Sequence, residues 1–288
     1  MNLSVSTPKN ADPEHYRPGH PIAPGYEVVS HMSRGDALDV YEVWSEERRC
    51  ICVAKTIRPD RHEDRVRQRL LQEGHLLESL SHPHLVRAYT TITYPEPIII
   101  LETLTGPTLE DVIADRRRLD VPDIALLGIQ LSSAIHYLHG KGHLHLDLNP
   151  SNIIAQCGTA KLIDLSLARP AGRMPHGLGT KEYLAPEQAR GDEVGPATDI
   201  WGIGAVLYET AGGRAPFEAR DDWESALLAA GEYLQLRRSP SPLRRRDLPS
   251  RLRDAIGQCL DPNPPGRPTS DQLAEVLGRF QPWSTAQP

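Results

Sequence analysis

Apolar and polar positions alternate over the first third of the chain and recur at helical spacing over the rest. From Tyr26 the runs YEVVSHMSRG, LDVYEVWS and RRCICVAKTI are β-branched or alternating and are broken by turn residues, which predicts an antiparallel meander. EDRVRQRLLQEGHLLESL carries apolar residues at helical spacing, and the strand candidates LVRAYTTI and PIIILETL follow it. After Gly106 the spacing is helical almost throughout, in TLEDVIADRRR, VPDIALLGIQLSSAIHYLHG, ATDIWGIGAVLYETAGG, DWESALLAAG, SRLRDAIGQCL and SDQLAEVLGRF. Strands first and helices afterwards predict an α+β architecture with a cleft between two lobes. Residues 1–22 are polar and proline-bearing and read as a flexible or extended lead-in that buries little, with 281–288 as a short tail.

Composition narrows the possible partners. The 288 residues are 39% hydrophobic and 24% charged, ordinary for a soluble globular protein. A formal charge of −6 gives no general attraction to nucleic acid or to an anionic membrane surface. No run approaches the ~18 apolar residues of a membrane span and the start lacks a secretion-signal layout, which predicts a cytoplasmic protein. The four cysteines are too few and scattered for a disulfide framework, and Cys50 with Cys52 finds no second pair to complete a zinc site. His136, His139, His143 and His145 are expected in packing and loop hydrogen bonds. The basic clump Arg237, Arg238, Arg244, Arg245 and Arg246 reads as a solvated face between two helices, with docking of an acidic substrate as the sharper alternative.

The chemistry-bearing residues fit phosphoryl transfer, which needs a cation on nucleotide phosphates, oxygen ligands for magnesium and an acceptor for the incoming hydroxyl's proton. Lys55 closes the strand CICVAK and can reach phosphate oxygens, and Glu73 in the next helix can hold its ammonium. Asp147 stands in a loop as base or orienting group, while Asn152 and Asp164 are hard oxygen ligands suited to magnesium. This ordered set, with HPHLVRAY, IILETLTGPTLEDVI, YLHGKGHLHLDLNPSNI, GTKEYLAPEQARG, ATDIWGIGAVLYE and LDPNPPGRPT, resembles the protein kinase family. The similarity is to the bacterial serine/threonine kinases of eukaryotic type in particular, and it covers about residues 26–280.

The resemblance implies a two-lobed kinase-like fold over 23–280, with a sheet lobe at 23–101, a hinge at 102–106 and a helical lobe at 107–280. It implies ATP and Mg²⁺ as cofactors and a protein hydroxyl as acceptor. By the same resemblance Lys55 pairs with Glu73, and Glu102 and Leu104 offer hinge backbone groups to adenine behind a Leu101 gatekeeper. Ser33, Gly35, Val40, Val53 and Ile154 join them around the nucleotide. Asp147 matches the catalytic aspartate, Asn152 and Asp164 the magnesium ligands, and Thr180 the threonine bonded near the catalytic aspartate. Glu187 and Arg267 match a buried ion pair anchoring the activation segment, and Asp199 the acid that holds the catalytic loop.

Several positions depart from the family pattern. Its three-glycine loop appears as Ser33, Gly35 and Leu38, which predicts a weakened phosphate cover, and Asp36 adds negative charge there. Val53 replaces an alanine above adenine, and overpacking of that kind costs about 1–3 kcal/mol. Asn149 stands where the family has lysine, so the phosphoryl group is offered at best a neutral hydrogen bond. Leu146 replaces an arginine that grips an activation-loop phosphate, and RPAGRMPHGLG, between Arg169 and Gly179, has no serine, threonine or tyrosine to carry one. Asp-Phe-Gly becomes Asp164-Leu165-Ser166, where Leu165 packs against Leu77 and His145, and the Ser166 Cβ favours an inward Asp164. Activity is therefore expected to be slow and not switched by phosphorylation of this loop. The alternative is a pseudokinase, a nucleotide-binding or scaffold module, and a small-molecule phosphotransferase stands below both. A regulatory protein or a second copy of the chain is the expected partner besides the protein substrate.

Overall fold

The computed structural model describes residues 15–61 and 63–281. The chain divides into two compact units: one holds residues up to Leu80 together with Arg87–Thr103, and the other holds Ser81–Val86 and everything from Leu104. Residues 1–14 of the lead-in and 282–288 of the tail lie outside the described residues.

The first unit is a six-stranded antiparallel sheet with one helix. Its elements are β1 (Pro21–Ala23), β2 (Tyr26–Arg34), β3 (Leu38–Ser45), β4 (Cys50–Ile57), α1 (Asp64–Ser79), β5 (Ala88–Ile92) and β6 (Ile98–Leu101). The strand order is β1-β2-β3-β4-β6-β5, so the meander breaks where α1 carries the chain past β4 and β6 returns beside it. Period-two alternation drives one face into a core of Tyr26, Val28, Tyr41, Val43, Cys52, Ala54, Ile98 and Ile100. The sheet begins earlier than the sequence suggests: β1 pairs with β2, and Tyr16 and Ile22 pack on that core. The Gly19 N–H donates to the Val28 carbonyl at 2.8 Å, so the segment 15–22 is a packed part of the sheet lobe.

The second unit is mainly helical. It contains α2 (Leu109–Arg116), α3 (Val121–Gly140), β7 (Ile153–Gln156), β8 (Thr159–Leu162), β9 (Gly172–Arg173), α4 (Pro186–Arg190), β10 (Glu193–Val194), α5 (Pro196–Gly212), α6 (Asp222–Ala229), α7 (Ser250–Cys259) and α8 (Ser270–Gly278). The two hairpins β7–β8 and β9–β10, and the short α4, are too brief to show periodicity. Caps fix the helix ends: Thr108 and Asp111 exchange hydrogen bonds at the start of α2, and α5 stops at Gly213 with φ 78°. The apolar α5 is buried along most of its length and packs on α3 and α7, with Trp201 stacked on Phe217 at 5.5 Å. Among the described residues no helix is long and apolar enough to cross a membrane.

Candidate active site

In the first unit the strand register places the nucleotide candidates. Ser33 lies opposite Val40, Val40 opposite Lys55, and Val53 opposite Leu101, so these five share one face of the sheet. Lys55 Nζ donates to both Glu73 oxygens, at 2.8 and 2.9 Å, and both side chains are largely buried. Gly74 makes that approach possible: a Cβ there would stand 2.3 Å from Thr91 Oγ1, so only glycine lets α1 lie this close to β5. Glu102 lies one residue before the end of this unit, its N–H bonded to the Arg87 carbonyl at 2.9 Å.

The hairpin that would cover phosphate differs from expectation. β2 runs on through Ser33 to Arg34 and turns over Gly35–Leu38, where the Gly35 N–H donates to the Leu38 carbonyl at 2.8 Å. Arg58 Nη1 donates to the Gly35 carbonyl at 3.1 Å, and the Arg58 N–H to the Ala37 carbonyl at 3.0 Å. Asp39 is fully buried and accepts from Arg34 Nε at 2.8 Å and Nη2 at 2.9 Å. The Tyr41 hydroxyl donates to it at 3.1 Å, and His31 Nε2 stands at 3.3 Å. Burial alone would push the Asp39 carboxyl up; the Arg34 and His31 hydrogen bonds, the Arg34 charge and Tyr41 outweigh it and hold the carboxyl below its ordinary range. A hairpin braced by charge thus replaces a loop made compliant by glycine.

The second unit assembles the loop that carries Asp147 and Asn152. Asp147 Oδ1 accepts from the Thr180 N–H at 3.0 Å and the Thr180 hydroxyl at 2.9 Å, while Oδ2 accepts from Asn152 Nδ2 at 3.1 Å. Asn152 Nδ2 also donates to the Asp147 carbonyl at 3.0 Å, which turns the amide nitrogen inward and presents Oδ1 as a hard oxygen ligand. Asp164 Oδ1 accepts from the Ser166 N–H at 2.8 Å, and its charge is close enough to act on His145. Among the described residues no cluster of three His, Cys, Asp or Glu forms a closed metal site. Asn152 and Asp164 nonetheless suit magnesium, which takes one or two protein oxygens and fills the rest of its shell with phosphate and water. Ile154 lies on β7 opposite Lys161, and Leu104 opens this unit.

A protein kinase domain model matches residues 26–277. The chain belongs to the protein kinase family. A probable serine/threonine-protein kinase, PkwA of Thermomonospora curvata, is 30% identical over 276 residues, 92% of this chain and 35% of that protein. The serine/threonine-protein kinase PkaA of Streptomyces coelicolor is 33% identical over 219 residues, 73% of this chain and 39% of that protein. The chain therefore spans well under half the length of these curated relatives.

Buried charges and hydrogen bonds hold the kinase domain's catalytic loop. Asp199 on α5 accepts from the backbone N–H of His145 at 2.9 Å and of Leu146 at 2.8 Å, and meets His139 Nε2 at 2.8 Å. Glu187 and Arg267 form a buried bidentate pair at 2.6 and 2.9 Å, to which Thr198 adds a hydroxyl at 2.9 Å. His145 is wholly buried, and burial pushes its imidazole pKa down against the opposing pull of Asp199, Asp147 and Asp164.

Asn149 is tied into the loop by its own side chain. Its Nδ2 donates to the Asp147 carbonyl at 3.1 Å and to Thr180 Oγ1 at 3.0 Å, and its Oδ1 accepts from the N–H of Ser151 and of Asn152 and from the Ser151 hydroxyl. Both N–H bonds are used in this structure, and they brace the loop to Thr180.

The folded loop gives Leu146 a role its sequence position does not show, and adds Gln188, Gly179, Tyr183 and Glu209. Leu146 lacks the arginine's charge, but it packs with Leu144, Leu167, Met174, Val194 and Leu178, so the activation segment is pinned by an apolar cluster. Its φ of 67° is uncommon for leucine and is held by Asp199 on one side and by Gln188, which donates to the Leu146 carbonyl at 2.8 Å, on the other. Gly179, at φ 126°, has to be glycine, because a Cβ would meet Leu184 at 2.8 Å and the Leu146 carbonyl at 3.3 Å. Tyr183 donates to Glu209 at 2.5 Å, and burial pushes that carboxyl up. Only the glycine and proline positions in these stretches carry a signal readable without coordinates.

Proposed function

We propose that this domain is a serine/threonine protein kinase, transferring the γ-phosphoryl group of ATP to protein hydroxyls. The observation that carries the reading is the Asp147 carboxylate, gripped through both oxygens by Thr180 and Asn152. Such a carboxylate is aimed before substrate arrives, and it accepts the proton of the attacking serine or threonine hydroxyl. Lys55, steadied by Glu73, takes phosphate oxygens. Asn152 and Asp164 would hold magnesium, which when bound supplies neutralisation of phosphate charge. In the sheet unit Val40, Val53, Leu101 and the backbone of Glu102 are assigned to adenine contacts, and in the helical unit Ile154 and the backbone of Leu104. An ATP-consuming reaction and four cysteines without disulfides agree with the cytoplasm.

We assign the Leu146 cluster to constitutive ordering of the activation segment, in place of an arginine and a phosphate. The decisive experiment is transfer of labelled phosphate from ATP with magnesium to a serine-bearing protein, comparing the native chain with Asp147→Asn. Loss of an acid–base group contributes about 10²–10⁴-fold, and the variant is expected to fall by that factor. Equal rates would refute the kinase reading. Phosphatase treatment is expected to leave the native rate unchanged, and a rate lost with a phosphate removed from 169–179 would refute the constitutive reading.

A further inference from the structure

We infer that a cavity at the C-terminal end of α5, remote in its lining from the Asp147 group, binds a phosphate monoester carried on a protein side chain. The cavity has a volume of about 420 Å³, inside the ~300–1,000 Å³ typical of ligand pockets. Five arginines line it, Arg118, Arg214, Arg220, Arg244 and Arg245, against a single acid, Glu218. The protein as a whole carries −6, so this concentration of positive charge opposes the overall balance.

Four of these arginines divide into two that are committed and two that are not. Arg214 is committed to Glu218, with Nε and Nη2 each 3.2 Å from a carboxylate oxygen. Arg245 is buried and builds the frame: Nη1 donates to the Leu119 carbonyl at 2.6 Å, while Nε and Nη2 hold the Asp247 carboxylate at 2.7–3.0 Å. That guanidinium ties the segment bearing Arg244 to the segment bearing Arg118. Two more bonds tie both segments to α5: Leu119 N–H to the Thr210 carbonyl at 2.9 Å, and the Tyr208 hydroxyl to the Ser241 carbonyl at 2.8 Å. The rims are thus fixed before any ligand arrives, which lowers the ordering cost of binding.

The Arg118 and Arg244 guanidiniums, both exposed, have no hydrogen-bond partner among the described residues, and the one carboxylate outside the lining that Arg118 acts on, Asp247, is already held by Arg245. They are not there to cap α5, since its Thr210 and Glu209 carbonyls already accept from Leu119 and Gly213. Like charges held together repel, and an anion seated between them relieves that repulsion. Guanidinium forks match phosphate oxygens in pairs, which favours phosphate over a carboxylate. The floor of Ala211, Pro216 and Leu243 is apolar and suits the carbon stem of a phosphorylated side chain better than a free ion.

The test is binding without ATP, so its outcome is separate from that of the kinase reading. A phosphoserine peptide, its unphosphorylated form and inorganic phosphate are titrated by calorimetry at constant ionic strength. The protein forms are the native chain, Arg118→Gln/Arg244→Gln, and Arg246→Gln as a neighbour outside the cavity. The phosphopeptide is expected to bind the native chain and Arg246→Gln equally, and the double variant at least about tenfold more weakly. The unphosphorylated peptide is expected not to bind. No phosphopeptide binding, equal binding by the double variant, or inorganic phosphate binding as tightly as the phosphopeptide would each overturn the proposal. Circular dichroism melts of the double variant are expected to match the native chain, because neither substituted side chain holds the fold.

Discussion

Each unit holds one functional loop on a buried carboxylate, and the two carboxylates work differently. In the sheet unit Asp39 is neutralised by a guanidinium, Arg34, with His31 and Tyr41 beside it. In the helical unit Asp199 instead takes backbone amides, those of His145 and Leu146, and fixes the main chain that aims Asp147. Asp39 therefore binds side chain to side chain across a hairpin, where residues can be exchanged if the charge is kept. Asp199 binds the backbone, where no alternative residue supplies the same grip. The catalytic loop accordingly keeps Asp147 and Asn152 while its neighbours Leu146 and Asn149 have changed, since the Asp199 grip reads backbone and not side chain. A buried brace of charge can stand in for glycine's compliance, whereas nothing stands in for an acceptor aimed at two amides.

Replacing Asp199 is the strongest way to break this contrast. Asp199→Asn turns an N–H₂ toward one of the two amides, and a buried donor left without an acceptor costs about 1–3 kcal/mol. Stability measured by urea unfolding is expected to fall by that order. The phosphorylation rate is expected to fall by about 100-fold, the effect of roughly 1 Å of misplacement at a catalytic group. A full rate in a stably folded Asp199→Asn would show that the backbone grip does not aim Asp147.

The same contrast explains how much the sequence discloses. The strands and helices of both units are legible because their apolar periods are long, and Lys55, Glu73, Asp147, Asn152 and Asp164 because their order is distinctive. Asp39 and Arg34 are not, since opposite charges five residues apart are ordinary on a surface and only the register of β2 on β3 sets them face to face. Asn149 is only half legible for a related reason: its position marks it as a site candidate, while its partners Thr180 and Ser151 are revealed only by the folded loop. Leu146 likewise reads as a lost arginine, and the cluster it joins comes from Met174, Leu178 and Val194, distant in sequence.

A middle-sized effect is expected at Asp39. Asp39→Asn removes a charged partner from Arg34, and hydrogen bonds to charged groups contribute about 1.5–3 kcal/mol. The KM for ATP is expected to rise by about tenfold with kcat little changed, because the hairpin and not the catalytic loop is loosened. The pH dependence supplies a signature. The Asp39 carboxyl titrates lower in the folded chain than in the unfolded one. Its contribution is therefore complete above the unfolded value of about 3.9 and is lost as pH falls through the folded value. The stability gap between native chain and variant should hold constant from neutral pH down to that region and close below it. A gap that stayed open well below that region would show that the Asp39 charge is not the brace.

The smallest effect sharpens the comparison inside the sheet unit, between the braced hairpin and the face beneath it. Val53 stands opposite Leu101 and is only half-buried, so the surrounding chain can yield to its two extra methyl groups. Overpacking there sits at the lower end of about 1–3 kcal/mol. Val53→Ala is expected to tighten nucleotide binding by about fivefold, read from the rise in melting temperature with ATP, while the melting temperature without nucleotide drops slightly. If Asp39→Asn weakens ATP binding and Val53→Ala strengthens it, and the double variant shows the sum, the two act independently: one through the geometry of the cover, the other through the volume of the roof. A strongly non-additive double variant would mean that the brace works by positioning Val53's strand, and the hairpin would then share its function with the sheet face it crosses.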